Sequence, residues 1–479
     1  MWTFTLTLDR TSSQPLYLQL STQLMDHIRS GQLLCGQQLP SSRKLAERLQ
    51  VHRKTIVQAY DELLAQGWLE SRQGSGTFVT THFPESKPSL QTSFDPLKTA
   101  GFSFESKPFL ERPPLLAQGP YHLDDGFPDV RLAPLLDLSR AYRNQLLRSN
   151  AYSRLGYNDP MGSGWLREQL SLYLNETRGL HTTAANVLIV RGTMMGFFLT
   201  STAFVKPGDY VALDSMSWSG STLNLEQTGA RMLSVPVDEH GLQVEVLAEL
   251  CQQYPIRMLY LTSHHHYPTT VALKAERRMK LMSLSRQYGF LIFEDDYDFD
   301  FHYEQKPLFP LASVDTSGMV MYCGSFTKTI APAFRVGYLV GPEDAIRHLS
   351  RLRRIIDRQG DMMLENALAQ LLEEGLIQRH LRKALRIYKK RRDYFAQALS
   401  HELADNIHFQ TPEGGLAFWT QFKEGTNLVE VASKALKKGL YFSNGIQHGP
   451  LTFPSTRLGF ASSNEEELSH CVKILKSCL

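Results

Sequence analysis

The chain has 479 residues, 42% of them hydrophobic and 21% charged, with a net charge of +3. Such a length exceeds one core and asks for two or three domains of about 100–200 residues each, and the balance excludes a disordered or fibrous chain. A charge this close to neutral excludes an all-over basic coat, so a polyanionic partner has to be argued from a local patch. The opening MWTFTLTLDR has no basic cluster followed by an apolar run, and no later stretch approaches the roughly 18 uninterrupted apolar residues of a membrane span; a cytoplasmic protein is expected. Cys35, Cys251, Cys323, Cys471 and Cys478 are odd in number and scattered, so reduced thiols are expected, with neither disulfides nor a zinc site.

Residues 11–80 read as a compact helical unit closed by a hairpin, an α+β arrangement. Leu20, Leu24 and Ile28 recur every fourth position and give one helix a core stripe. At Pro40-Ser41-Ser42 a serine can cap a second helix through Leu49. A third helix starts near His52, runs through Ala65 and stops at Gly67. Trp68–Ser71 and Thr77–Val79 then flank Gly74-Ser75-Gly76, two short strands about a glycine turn. Arg43 and Lys44 open the second helix and His52, Arg53, Lys54 and Thr55 the third, where side chains and helix N-termini favour an anion. Arg72 and Gly74 lie at the hairpin tip. On charge alone, a solvated helix face explains these residues as well. The ordered run Pro15-Leu16-Tyr17, Gly36-Gln37-Gln38-Leu39-Pro40-Ser41-Ser42-Arg43, His52-Arg53-Lys54-Thr55-Ile56-Val57 and Gly74-Ser75-Gly76-Thr77-Phe78-Val79 resembles the GntR-type winged helix-turn-helix, with His52 where that family commonly has a capping serine. The resemblance implies duplex DNA as partner, contacted by Ser41, Arg43, Lys44, His52, Arg53, Lys54, Thr55, Arg72 and Gly74.

Prolines 84, 88, 96, 108, 113 and 114 interrupt residues 81–120, which read as a linker. Residues 121–479 form the second domain. Within it Val187–Val190, Tyr210–Leu213, Met258–Leu261, Phe290–Phe293 and Met319–Tyr322 are apolar runs alternating with helical patterns, the signature of an α/β domain with a largely parallel sheet. Residues 370–479 are expected as a smaller α+β subdomain.

Three clusters in this domain carry chemistry. His264-His265-His266 invites a metal, yet adjacent histidines in an extended segment point in alternating directions, so no metal site is expected. Glu294-Asp295-Asp296-Tyr297-Asp298 follows a strand at the edge where open α/β sheets bind ligands; alternation places Asp295 and Tyr297 on one face and Asp296 on the other. An acidic turn is the plain alternative. Lys328 sits in Gly324-Ser325-Phe326-Thr327-Lys328-Thr329, after an apolar strand and ahead of Arg335; a lone lysine is far more often structural than catalytic.

Taken with Gly156-Tyr157-Asn158-Asp159-Pro160, Arg191-Gly192-Thr193-Met194 and Asp214-Ser215-Met216-Ser217-Trp218, these segments resemble, in order, the MocR subfamily of GntR regulators. That family joins a winged helix to a fold-type I aminotransferase-like domain binding pyridoxal 5′-phosphate. The resemblance implies Lys328 as the Schiff-base lysine, the one catalytic group. It implies Asp295 and Tyr297 at the ring, Ser325, Arg335, Gly192, Thr193 and Met194 around the phosphate, Trp218 stacked on the ring, and His265 and Tyr267 in the loop beside it. It gives Arg457 to an effector carboxylate, which a planar guanidinium can grip twice. The expected function is transcription control by an amine, an amino acid or the cofactor itself, through an aldimine on Lys328, in a head-to-tail homodimer. The rivals are an active aminotransferase with a DNA-binding appendage and a repressor that has lost the cofactor.

Overall fold

The structure is a computed structural model and describes residues 5–81, 98–110, 119–148, 155–304, 308–448 and 453–479; most of the expected linker, including prolines 84, 88, 96, 113 and 114, lies outside them. The chain divides into two compact units, Met1–Glu105 and Ser106–Leu479. Among the described residues no helix is long and apolar enough to cross a membrane.

The first unit contains α1 (Leu16–Arg29), α2 (Ser42–Leu49), α3 (Arg53–Ala65) and the antiparallel pair β1 (Leu69–Arg72) and β2 (Gly76–Val79). Leu20, Leu24 and Ile28 of α1 pack with Leu45, Ile56, Leu63 and Val79 in one core, so the fourfold spacing is the buried stripe. Ser41 caps α2, accepting a hydrogen bond from the Lys44 amide. At α3 the cap is His52, whose Nδ1 accepts from the Lys54 amide at 3.2 Å; a ring nitrogen replaces the usual hydroxyl.

The second unit is built on a seven-stranded sheet. In chain order its elements are β3 (Tyr121–Leu123), α4 (Leu135–Leu147), α5 (Gly164–Arg178), β4 (Val187–Val190), α6 (Gly192–Phe204), β5 (Tyr210–Asp214), α7 (Ser219–Thr228), β6 (Arg231–Val235), β7 (Val237–Asp238), β8 (Gly241–Leu242), α8 (Val244–Gln253), β9 (Ile256–Leu261), α9 (Ala275–Tyr288), β10 (Leu291–Asp296), β11 (Val320–Ser325), β12 (Gly337–Val340), α10 (Glu343–Ile356), α11 (Met362–Glu373), α12 (Leu376–Leu403), β13 (Ile407–Phe409), β14 (Ala417–Phe422), α13 (Leu428–Lys437), β15 (Leu440–Phe442), β16 (Ser455–Gly459) and α14 (Glu465–Lys476).

The sheet order is β4-β12-β11-β10-β9-β5-β6, parallel except for β12, which runs against both neighbours. Each apolar run singled out in the sequence is a strand of this sheet, because a strand covered on both faces needs apolar side chains at odd and even positions alike. Leu259 and Ile292 feed one core while Met258, Tyr260 and Phe293 feed another. The C-terminal part carries a second, antiparallel sheet, β13-β14-β16. It also pairs β15 in parallel with β3, which draws the start of the unit onto the C-terminal lobe.

Candidate functional site

Strands β10 and β11 end together, Asp295 beside Cys323 and Asp296 beside Gly324. Tyr260 donates to Asp295 Oδ2 at 2.8 Å, while Oδ1 is buried without a hydrogen-bond partner among the described residues. Burial drives the Asp295 pKa up to about 7, against the Tyr260 hydrogen bond and helped by Asp296 and Asp298. A dry, unpaired carboxylate oxygen fits a cationic N–H such as a protonated pyridine nitrogen. Asp296 takes the opposite face, as alternation requires: Tyr322 donates to it at 2.7 Å and His264 Nδ1 lies 3.3 Å away. Burial opposes its charge, but His264, Arg178 and Tyr322 keep its pKa at about 2.

A second group of polar residues surrounds the start of α6. Arg191 at its N-cap supplies no side-chain cap, so the first-turn amides of Gly192, Thr193 and Met194 lack an intrahelical acceptor. The Arg335 guanidinium donates to the Arg191 carbonyl at 2.9 Å and lies against Gly192, where an added Cβ would stand 2.8 Å from it. Gly192 also has φ +78°, so the cradle requires glycine. Ser325, paired across the sheet with Gly337, donates to Thr327 Oγ1 at 2.7 Å. A guanidinium, free amides and two hydroxyls at a helix N-terminus suit a phosphate dianion. A cavity of about 810 Å³, lined by Leu138, Tyr142, Arg191 and Arg335 among others, opens at this end.

Lys328 donates from Nζ to the Gly126 carbonyl at 2.7 Å, with Nζ 4.7 Å from the Phe127 ring centroid. Burial lowers its pKa, partly offset by Asp125, which enriches the neutral amine that attacks a carbonyl. Arg457 of β16 is only 2% exposed. Its Nη1 donates to the Pro268 carbonyl at 2.9 Å and its Nε lies 2.8 Å from Asp125 Oδ1. Tyr267 donates to the other Asp125 oxygen at 2.7 Å. Burial raises the Asp125 pKa, opposed first by Arg457 and then by Tyr267. Asp125 had no part in the sequence reading: Asp-Asp-Gly reads as a turn, and only the packing of Tyr267 and Arg457 gives the second aspartate its place.

The remaining candidates make contacts of their own. Tyr297 donates to the His265 carbonyl at 3.0 Å. The His265 ring itself faces Asp298 at 2.7 Å and His302 at 3.0 Å. His266 lies 3.3 Å from Asp214, so the three consecutive histidines reach three different carboxylates. Among the described residues no cluster of three or more His, Cys, Asp or Glu is arranged to hold a metal. Trp218 stands at the N-cap of α7, half-buried, its ring folded over Gly220. Met194 is 38% exposed, its sulfur 3.2 Å from the Asn224 amide.

In the first unit Arg43, Lys44, His52, Arg53 and Lys54 are exposed at the starts of α2 and α3, and Thr55 is half-buried. Arg53 donates to Ser42 at 3.3 Å, joining the two helix starts. Arg72 is exposed on β1, bonded to Glu70 and lying 4.5 Å over the Phe78 ring, while Gly74 forms the exposed tip.

Residues 121–475 match the aminotransferase class I and II family and residues 16–79 the bacterial regulatory proteins of the gntR family. The chain is 28% identical to a probable rhizopine catabolism regulatory protein, MocR, of Rhizobium meliloti, covering 91% of this chain and 88% of the relative. It is 30% identical to the HTH-type transcriptional regulator TauR of Rhodobacter capsulatus, covering 89% and 88%. Among solved structures, the α-aminoadipate aminotransferase LysN of Thermus thermophilus, complexed with N-(5′-phosphopyridoxyl)-L-leucine, shares the fold. Its TM-score is 0.69 at 24% identity, over 75% of this chain and 92% of that one.

Proposed function

The chain belongs to the class I and II aminotransferase family and is a GntR-type transcription regulator of MocR type, and on that premise we propose that an amine or amino acid entering its cofactor cleft controls its grip on DNA. The cofactor of this fold family is pyridoxal 5′-phosphate. When bound, it supplies an aldehyde that condenses reversibly with amines and a ring that absorbs near the visible edge. Lys328 would be the residue that anchors it. Asp295 would hold the ring nitrogen protonated, Tyr297 would donate beside the ring, and Trp218 would cover it. Arg335, Ser325 and the amides of Gly192, Thr193 and Met194 would hold the phosphate.

The observation that carries the reading is the buried, unpartnered Asp295 oxygen near the end of β10 together with Lys328, half-buried just beyond the end of β11 and with a lowered pKa. Lys328 would yield its place to an incoming amine, and Arg457 would receive the carboxylate of an amino acid. The two units then act as one switch only if the ligand binds the DNA-competent and DNA-incompetent states with unequal affinity. A homodimer presenting two winged helices would read a repeated site.

The test is fluorescence anisotropy of the loaded protein on DNA from the region upstream of its own gene, titrated with amino acids and amines. The expected result is a ligand-dependent shift of about tenfold in DNA affinity, absent in Lys328→Ala. Unchanged DNA affinity with every amine and amino acid, or sustained multiple-turnover transamination at ordinary enzyme rates without any effect on DNA, would overturn it.

A further inference from the structure

We propose that Asp125 is the specificity-determining residue of the cleft, its carboxylate holding the Arg457 guanidinium as an internal counterpart of a ligand carboxylate. An amino acid must therefore exchange with Asp125, whereas an amine lacking a carboxylate need not. The inference rests on the sensing reading above and assigns a role to a residue outside the cofactor-binding set.

The contact with Arg457 is an ion pair by distance and not an aligned hydrogen bond, since neither Asp125 Oδ1 nor Arg457 Nε has a hydrogen-bond partner among the described residues. One oxygen of Asp125 lies 2.8 Å from Arg457 Nε and the other accepts from Tyr267 at 2.7 Å. Of the other guanidinium nitrogens, Nη1 donates to the Pro268 carbonyl and Nη2 faces Gly126, where an added Cβ would stand 3.3 Å from it. The Arg457 side chain is 2% exposed, so a carboxylate reaching it must take a place already filled. The Tyr267 ring, 5.0 Å beneath the guanidinium, closes one face.

The backbone around Asp125 is fixed independently of that pair. Gly459 donates to the Asp124 carbonyl at 2.7 Å, and Asp124 Oδ1 accepts from the Phe127 amide at 2.7 Å. Ser462 donates to Asp124 Oδ2 at 2.7 Å. Exchange can therefore proceed by rotation of the Asp125 side chain, partly exposed at 29%, while the segment stays in place. Lys328 also donates to Gly126, so one short segment touches both the lysine and the arginine.

Exchanging one carboxylate for another recovers only the difference between two similar ion pairs, so in the wild type a ligand carboxylate adds little. Removing the charge at 125 leaves a buried arginine unpaired, and a ligand carboxylate then supplies the whole pair. Protein loaded with pyridoxal 5′-phosphate is titrated by absorbance with L-alanine and 4-aminobutyrate and with their decarboxylated counterparts, ethylamine and propylamine. Asp125→Asn should raise affinity for at least one amino acid about tenfold while shifting the amines by less than about threefold. Tyr267→Phe, which loosens Asp125 without removing it, should move the same selectivity ratio in the same direction by a smaller factor. An unchanged ratio in both variants, or weaker amino-acid binding in Asp125→Asn, overturns this inference alone. No spectral response of the wild type to any of the four compounds contradicts the sensing reading and this inference with it.

Discussion

Asp295 faces two demands that conflict, a dry site for a charged partner and the cost of ionising there. Its ordinary carboxyl pKa of 3.8 rises to about 7 in the folded chain, chiefly through burial. A carboxyl whose folded pKa exceeds its unfolded one gives stability that is fully present below the unfolded value and lost as pH rises through the folded one. Cofactor-free protein should therefore lose stability between about pH 4 and 7, this residue contributing about 2–4 kcal/mol. Urea unfolding of Asp295→Asn at pH 5 and 8 should show a flatter pH dependence and higher stability at pH 8, together with at least about tenfold weaker cofactor binding. An unchanged slope, or undiminished cofactor affinity, would show that Asp295 is merely structural. The place of Asp295 at a strand end, on the face opposite Asp296, was legible from the sequence because strand alternation sets it. Asp125 was not, because its meaning depends on Arg457, distant along the chain.

The helix starts of the first unit were equally legible. Ser41 and His52 mark the two N-caps, and the exposed Arg53 and Lys54 open α3. Changing Arg53 and Lys54 to alanine should abolish detectable operator binding at moderate salt and lower the salt dependence at low salt by about 0.9 per lost phosphate contact. Absorbance of the bound cofactor should stay intact, and its loss along with DNA binding would mean that these residues support folding instead. In the second unit β4, β5, β9, β10 and β11 were readable as apolar runs because both their faces are covered. The edge strand β6, with Arg231, Met232 and Ser234 exposed, lacks that signal. The strand β12 begins at glycine directly after the Arg335 turn, and its antiparallel direction is set by its neighbours. The pairing of β3 with β15 joins positions over three hundred residues apart, Tyr121 with Leu440, and no local pattern encodes it.

At the scale of the whole molecule, one chain joins a DNA-reading fold to a fold that elsewhere performs transamination. The proposed control requires the cofactor to be held where an amine can reach it, and in that proposal Lys328 is the residue on which it turns. The most direct measurement is borohydride reduction of the protein loaded with pyridoxal 5′-phosphate, followed by peptide mass spectrometry. A phosphopyridoxyl adduct on the peptide carrying Lys328, with loss of the visible-edge absorbance in Lys328→Ala, is the result predicted. An unmodified Lys328, or an adduct confined to other lysines, would contradict the account.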